Sequence, residues 1–210
     1  MPFQVASASA SFRAASEDRS VVHHLPGGLV VVVADGAGGV PGGCRAAELA
    51  LAQVNGALVA PDFGPFTPSL WVEALRSADL TIERDGDAGE TTAVIVALAE
   101  TGVLVGASCG DSGALVVRAD GTTDELTEHQ YRKRRVGSGR AVPVGFQRTT
   151  LEGTLLLATD GLLGYARPEM LTEVLAATKD LDDAVLALVD RVRLPSGDLM
   201  DDVTVVLVRP

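Results

Sequence analysis

Cysteine is scarce in this chain. Cys44 and Cys109 are the only two, each among apolar or small neighbours. That excludes a disulfide framework and leads us to expect reduced thiols in a cytosolic protein. Positive charge is short as well: 17 Lys and Arg stand against 28 Asp and Glu, for a net charge of -11. A chain this acidic lacks the cationic surface that grips phosphate backbones or anionic lipid, so neither nucleic acid nor membrane is expected as a partner. Long apolar runs are missing too. The longest, "LVVVVA", is far too short to span a bilayer. The start, "MPFQVASASA", has no basic stretch and no apolar block. No signal peptide is expected, and the expected location is cytoplasmic. There is no repeat and no low-complexity tract.

What is present suits one domain over residues 1–210. Hydrophobic residues make up 47% of the 210, enough for a sizeable core. "FQVASASASF" alternates with period two, as a half-buried strand does. "HHLPGG" predicts a hairpin turn into "GLVVVVA", a run of the buried-strand type. From Gly43, "GCRAAELALAQVNGAL" has helical spacing. Thr67 is expected to cap a second helix, with Pro68 at its first position. "TTAVIVALA", "GVLVGASC" and "ALVVRA" predict three strands joined by tight Gly-containing turns. "DELTEHQYRKRRVGSGR" is polar, mostly basic and without pattern. "TLLLATDG" predicts another buried strand, "PEMLTEVLAAT" and "LDDAVLALVDRV" two helices, and "DDVTVVLVR" a closing strand. Strands joined by tight turns pair antiparallel, and helices that come in pairs can cover their faces. The predicted class is a layered α+β domain.

The chemistry lies at the strand ends. Asp-Gly stands at 35, 85, 120 and 160, and Gly110-Asp111 has the reverse order. A lone Asp-Gly is ordinarily a turn, because Asp caps its own backbone and Gly accepts positive φ. Asp85 and Asp120, with polar neighbours on both sides, fit that reading. Asp35, Asp111 and Asp160 each follow an apolar run, and Asp201 and Asp202 stand immediately before one. Carboxylates gathered at the mouths of buried strands repel one another unless a cation neutralises them. Hard divalent ions take oxygen ligands of this kind, so the pattern favours Mg²⁺ or Mn²⁺ over plain turns. A phosphate cradle at "VVVADGAGGVPGG" is less favoured, because a P-loop needs a lysine that this stretch lacks.

With these residues in view, the sequence resembles the type 2C metal-dependent Ser/Thr protein phosphatases, in their bacterial form with a short flap. Six motifs match in order: "RAASED", "VVVADGAGG", "ETTAVIVAL", "GASCGDSGALVV", "LLLATDGLL" and "DDVTVVLV". The resemblance implies a four-layer αββα sandwich of two antiparallel sheets flanked by helical pairs. It implies two Mn²⁺ or Mg²⁺ ions per chain, with a third in bacterial members. Asp35 would bridge two metals, with the Gly36 carbonyl on one of them; Asp160 and Asp201 would ligate the other. Glu17 and Asp18 would hold metal-bound waters, Asp111 would help bind the third ion, and Arg13 would bind phosphate. The implied activity is hydrolysis of phosphoserine and phosphothreonine by a metal-bridged water, with Arg13, Asp18 and Asp35 as the catalytic set. A phosphoprotein substrate and a cognate Ser/Thr kinase would be its partners. Two alternatives stay open: a non-catalytic signalling module of the same fold, and a metal-dependent phosphatase for small phosphoesters.

There are departures from that pattern. Ala37 stands where some members carry a His, so no imidazole acid is expected there. Glu90 replaces a small residue before the Thr pair, and the stretch between Asp111 and Asp160 leaves room only for a stub of the flap. The histidines 23, 24 and 129 read as exposed, the "RKRR" run as a solvated face, and Trp71 as core.

Overall fold

The computed structural model describes residues 3–12, 15–37, 41–59 and 64–210. Among them, the strands are β1 (Gln4–Ala10), β2 (Arg19–Leu25), β3 (Gly28–Ala34), β4 (Ala93–Ala99), β5 (Leu104–Cys109), β6 (Gly113–Val117), β7 (Thr123–Glu125), β8 (Val144–Arg148), β9 (Thr154–Ala158) and β10 (Val203–Arg209). The helices are α1 (Gly43–Leu58), α2 (Pro68–Arg84), α3 (Asp160–Leu163), α4 (Pro168–Ala177) and α5 (Leu181–Arg191). The strands form two five-stranded sheets, ordered β1-β10-β9-β6-β7 and β2-β3-β4-β5-β8. Every pairing is antiparallel.

Strand alternation explains the valine run. Successive side chains point to opposite faces, and β3 is buried on both. Val31 and Val33 meet Val94 and Val96 and, from the other sheet, Leu155, Leu157, Val206 and Val208. Val30 and Val32 face the opposite way and pack with Ile95 against Trp71, Leu75 and Ile82 of α2. On the far side, Leu156, Val205 and Leu207 pack against Leu171 of α4 and Val185 and Leu188 of α5. Two helical pairs thus enclose two sheets, which bears out the expected αββα layering.

Two local expectations are corrected. The Gly110–Ser112 stretch is no hairpin: β5 and β6 lie in different sheets, so the chain crosses the sandwich there. Thr67 sits at the N-cap of α2 but makes no side-chain cap bond. Its carbonyl accepts the Leu70 N–H instead. The polar stretch also feeds a strand that its composition did not announce, β8, which pairs with the edge of β5.

Register brings the strand ends together. Arg19 opens β2 opposite Ala34, which closes β3. Gly113 opens β6 opposite Ala158, which closes β9. Ala93 opens β4 opposite Cys109, which closes β5. Residues 17–18, 35, 91–92, 111 and 160 therefore emerge at one end of the sandwich.

Candidate metal centre

Asp35 leaves β3 held on both sides of its peptide. Its N–H donates to Thr92 Oγ1 at 3.1 Å, and its carbonyl accepts from the Thr92 N–H and from Thr91 Oγ1, each at 2.8 Å. Thr92 Oγ1 in turn lies 2.5 Å from Ser112 Oγ, beside Asp111. The Thr pair and Ser112 thus tie the two sheets together behind the carboxylates. Asp160 is placed by the turn of α3 that follows β9, closed by a bond from Gly164 N–H to its carbonyl at 2.7 Å.

The outcome is a convergence of charge. Asp35, Asp111 and Asp160 each bring a carboxylate oxygen within 4.8 Å of the others. Burial pushes the Asp35 carboxyl up to about 9, with the charges of Asp18 and Asp160 adding to it. Burial also raises Asp18, to about 6, against the hydrogen bonds from Thr159 and Thr204 that favour its ionised form. Asp160 is raised by burial and then by Asp111. Such shifts are those of carboxylates packed without a counter-ion.

Asp18 is buried, and Thr159 Oγ1 donates to its Oδ2 at 2.9 Å. Its other oxygen, and Asp111 Oδ1, are buried with no hydrogen-bond partner among the described residues. Orphaned buried acceptors of this kind need a cation or a donor. The donor set is all oxygen and carries several charges, which fits Mg²⁺ or Mn²⁺.

Not every expected residue joins the group of three. Asp201 is exposed; its Oδ1 accepts the Asp202 N–H at 2.9 Å, and its charge is felt by Asp160. Glu17 is half-buried, and its N–H donates to Asp202 Oδ2 at 2.8 Å. Gly36 follows Asp35 because a Cβ there would collide with the Gly43 backbone at the start of α1. Arg13 lies outside the described residues. Asp85 and Asp120 are turn residues, as expected: Asp85 accepts the Asp87 N–H at 3.2 Å and Asp120 the Thr122 N–H at 2.9 Å.

Three further residues shape the site: Asp202, noted above only as a carboxylate at a strand mouth, and Arg19 and Arg135, which the sequence did not single out. Asp202 accepts from Phe12 N–H at 2.7 Å, Glu17 N–H at 2.8 Å and Ser11 Oγ at 3.2 Å, so it clamps the loop that carries Glu17 and Asp18. Arg19 holds the same loop, donating to the Ser16 and Asp18 carbonyls at 2.9 and 2.8 Å. Arg135, from the basic run, places Nη2 3.6 Å from Asp111 Oδ2.

Residues 26–210 match the family model described as stage II sporulation protein E, SpoIIE. The chain belongs to the SpoIIE family. No curated protein sequence matches it. Among solved structures, this SpoIIE-family chain is similar to the Ser/Thr phosphatase Stp1 from Staphylococcus aureus, with a TM-score of 0.82 at 18% identity over 99% of this chain and 94% of that one. It is similar also to the PPM Ser-Thr phosphatase MsPP from Mycobacterium smegmatis in complex with cacodylate, at 0.75, 22%, 98% and 97%. The catalytic domain of the phosphatase PstP, in complex with two manganese ions, matches at 0.74, 20%, 98% and 97%. The resemblance to type 2C phosphatases and the fold that it implied are borne out. No described helix is long and apolar enough to cross a membrane.

Proposed function

We propose that the chain is a divalent-metal-dependent phosphatase acting on phosphoserine and phosphothreonine in proteins, working as one catalytic unit over residues 1–210. The observation that carries this reading is the convergence of Asp35, Asp111 and Asp160 from both sheets, beside buried oxygens that have no donor among the described residues. Asp35, Asp160, Asp201 and the Gly36 carbonyl would hold two Mn²⁺ or Mg²⁺ ions. Glu17 and Asp18 would orient water around them, and Asp111 with Asp160 would hold a third. The bound ions supply an activated water and counter-charge for phosphoryl oxygens. The PstP relative with two manganese ions supports the same stoichiometry for this chain.

The chain's own residues do the rest. The Thr91–Thr92–Ser112 network fixes Asp35 from behind, so its carboxylate does not reorganise as charge develops. Asp202 and Arg19 hold the backbone on which Glu17 and Asp18 stand. Arg13 and Arg135 bind phosphate oxygens as guanidinium donors suited to that geometry. Ala37 is buried where some type 2C phosphatases carry a histidine, so no imidazole at that position is available to protonate the leaving group. The protein acts in the cytoplasm, opposite a cognate Ser/Thr kinase.

The test is hydrolysis of an aryl phosphate and of a phosphopeptide panel, with Mn²⁺ and after EDTA. Activity should need the metal, and Asp160→Asn should remove nearly all of it while the far-ultraviolet spectrum is kept. Full turnover by that variant would refute the assignment. Hydrolysis of the aryl phosphate alone would move the substrate to small phosphoesters.

A further inference from the structure

A cavity of about 180 Å³ opens beside Asp111, under the short segment that follows β7. Its walls come from Leu115 of β6, Leu163 of α3, Ala166, and Leu171 of α4, with Gln130 above them. The space exists because the neighbouring wall residues are small: Gly113, Ala114 and Ala166 line it. Asp111 belongs both to this cavity and to the acidic cluster, so a molecule held by its phosphate at the cluster reaches the cavity directly.

Size decides what can enter. Whole small-molecule ligands occupy pockets of roughly 300–1,000 Å³. A cavity of about 150 Å³ lined by aliphatic residues takes a benzene-sized group. The cavity here is therefore sized for one side chain. Charge decides further. Glu125 and Arg132 both line it, with opposite charges 3.7 Å apart, so its rim favours neither sign of charge. The apolar wall selects an aliphatic or aromatic side chain. Gln130 adds a polar contact: its Nε2 donates to the Ser112 carbonyl at 2.9 Å, while its Oε1 is buried with no partner among the described residues. That oxygen is an acceptor in want of an N–H, which a peptide backbone supplies.

We infer that this cavity is a specificity subsite: it receives one apolar side chain of the phosphopeptide, from a residue close to the phosphorylated one, whose backbone N–H bonds to Gln130 Oε1. The inference rests on the phosphatase reading above and adds the class of peptide that the site prefers.

The experiment uses the whole chain with Mn²⁺, an aryl phosphate, and phosphothreonine peptides carrying Gly, Leu, Phe or Glu at each position within three residues of the phosphate. At one position, Leu or Phe should raise kcat/KM roughly tenfold over Gly, the order expected for filling an apolar pocket. Ala166→Trp should fill the cavity and erase that preference, while kcat/KM for the peptide with Gly at that position, which places no side chain in the cavity, stays within about twofold. Leu163→Ala should enlarge the space and shift the preference from Leu toward Phe, which keeps the test decisive where the Trp variant folds poorly. A flat peptide profile with intact aryl phosphate turnover overturns the subsite alone, as does a preference that survives both substitutions. Loss of all metal-dependent hydrolysis in the unmodified chain overturns the phosphatase reading and the subsite with it.

Discussion

Asp35→Asn should move stability and activity in opposite directions. Asp35 is half-buried among Asp18, Asp111 and Asp160, and its carboxyl is pushed from the ordinary 3.8 up to about 9. In the metal-free fold it holds a proton that the unfolded chain has released. A carboxyl raised in the folded state lowers stability as pH climbs from the unfolded pKa toward the folded one, because the native state binds the extra proton. At 1.36 kcal/mol per pH unit, holding that proton at about pH 7.5 costs the metal-free fold at most about 5 kcal/mol. Asn is neutral at every pH and retains a side-chain donor toward Asp160. Against that gain stands the cost of burying an amide that is imperfectly bonded, about 1–3 kcal/mol. A net gain of about 2 kcal/mol, or roughly 4–8 °C in Tm, is expected for a chain of this size.

The metal reverses the sign. Cation binding replaces the trapped protons, so Mn²⁺ should raise the wild-type Tm, and by more at about pH 8 than at about pH 6. The variant should show little Mn²⁺ shift and at least about a hundredfold loss in kcat. The assay is thermal denaturation from about pH 5 to 8, after EDTA and again with Mn²⁺, alongside turnover of an aryl phosphate. A variant that is less stable than wild type in EDTA, yet keeps the full Mn²⁺ shift, would refute the reasoning: Asp35 would then be neither a proton trap nor a metal ligand.

Asp202→Ala removes a buried acceptor of three hydrogen bonds and should cost about 3 kcal/mol, or roughly 6–12 °C in Tm, with weaker Mn²⁺ binding by titration calorimetry; an unchanged melting curve would mean that the clamp is not needed. Arg135→Ala should raise KM for aryl phosphate about tenfold with a smaller loss in kcat, and Arg135→Lys should restore only part, since a point charge lacks the guanidinium fork; an unaltered KM returns Arg135 to the solvated face. Asp79→Ala deprives the backbone N–H groups of Gly137, Gly139 and Ala141 of their shared acceptor, so it should lower stability by about 3 kcal/mol and expose the 137–141 loop to limited proteolysis; equal cleavage rates in variant and wild type would argue against it.

Much of this could be read in the chain because local and tertiary demands agree. "GCRAAELALAQVNGAL" is α1 from end to end, and "GLVVVVA" is β3. What escaped is decided between distant segments. Gly110-Asp111 has the composition of a hairpin, and which sheet each flanking strand joins is set by packing far along the chain. Asp201 and Asp202 are neighbours with the same side chain. Only the entry of β10 into its sheet turns Asp202 inward to Ser11, Phe12 and Glu17 and leaves Asp201 outside. Of four adjacent basic residues, the described ion pairs bring Arg135 to the acidic centre and Arg132 to Glu125. Asp79 did carry a signal: a carboxylate sits on the apolar stripe of α2, four residues after Leu75 and three before Ile82, where a charge stays only when partnered.

The two kinds of Asp-Gly show why one dipeptide serves two ends. Gly121 takes φ of 83°, the left-handed backbone of an ordinary turn, with open space around it. Gly36 and Gly161 are not among the glycines with positive φ. A Cβ at Gly161 would run into the Asp202 carbonyl, and one at Gly36 into the Gly43 backbone. There the glycine is required by contact between chain segments. Its bareness lets the start of β10 lie against the turn that carries Asp160, and the start of α1 against the turn that carries Asp35. Like charges within a few ångströms repel, so nothing in the carboxylates themselves draws these turns together. The approach is driven by the cores on both sides of each sheet and permitted by the two glycines, and the repulsion it leaves is what a divalent ion relieves.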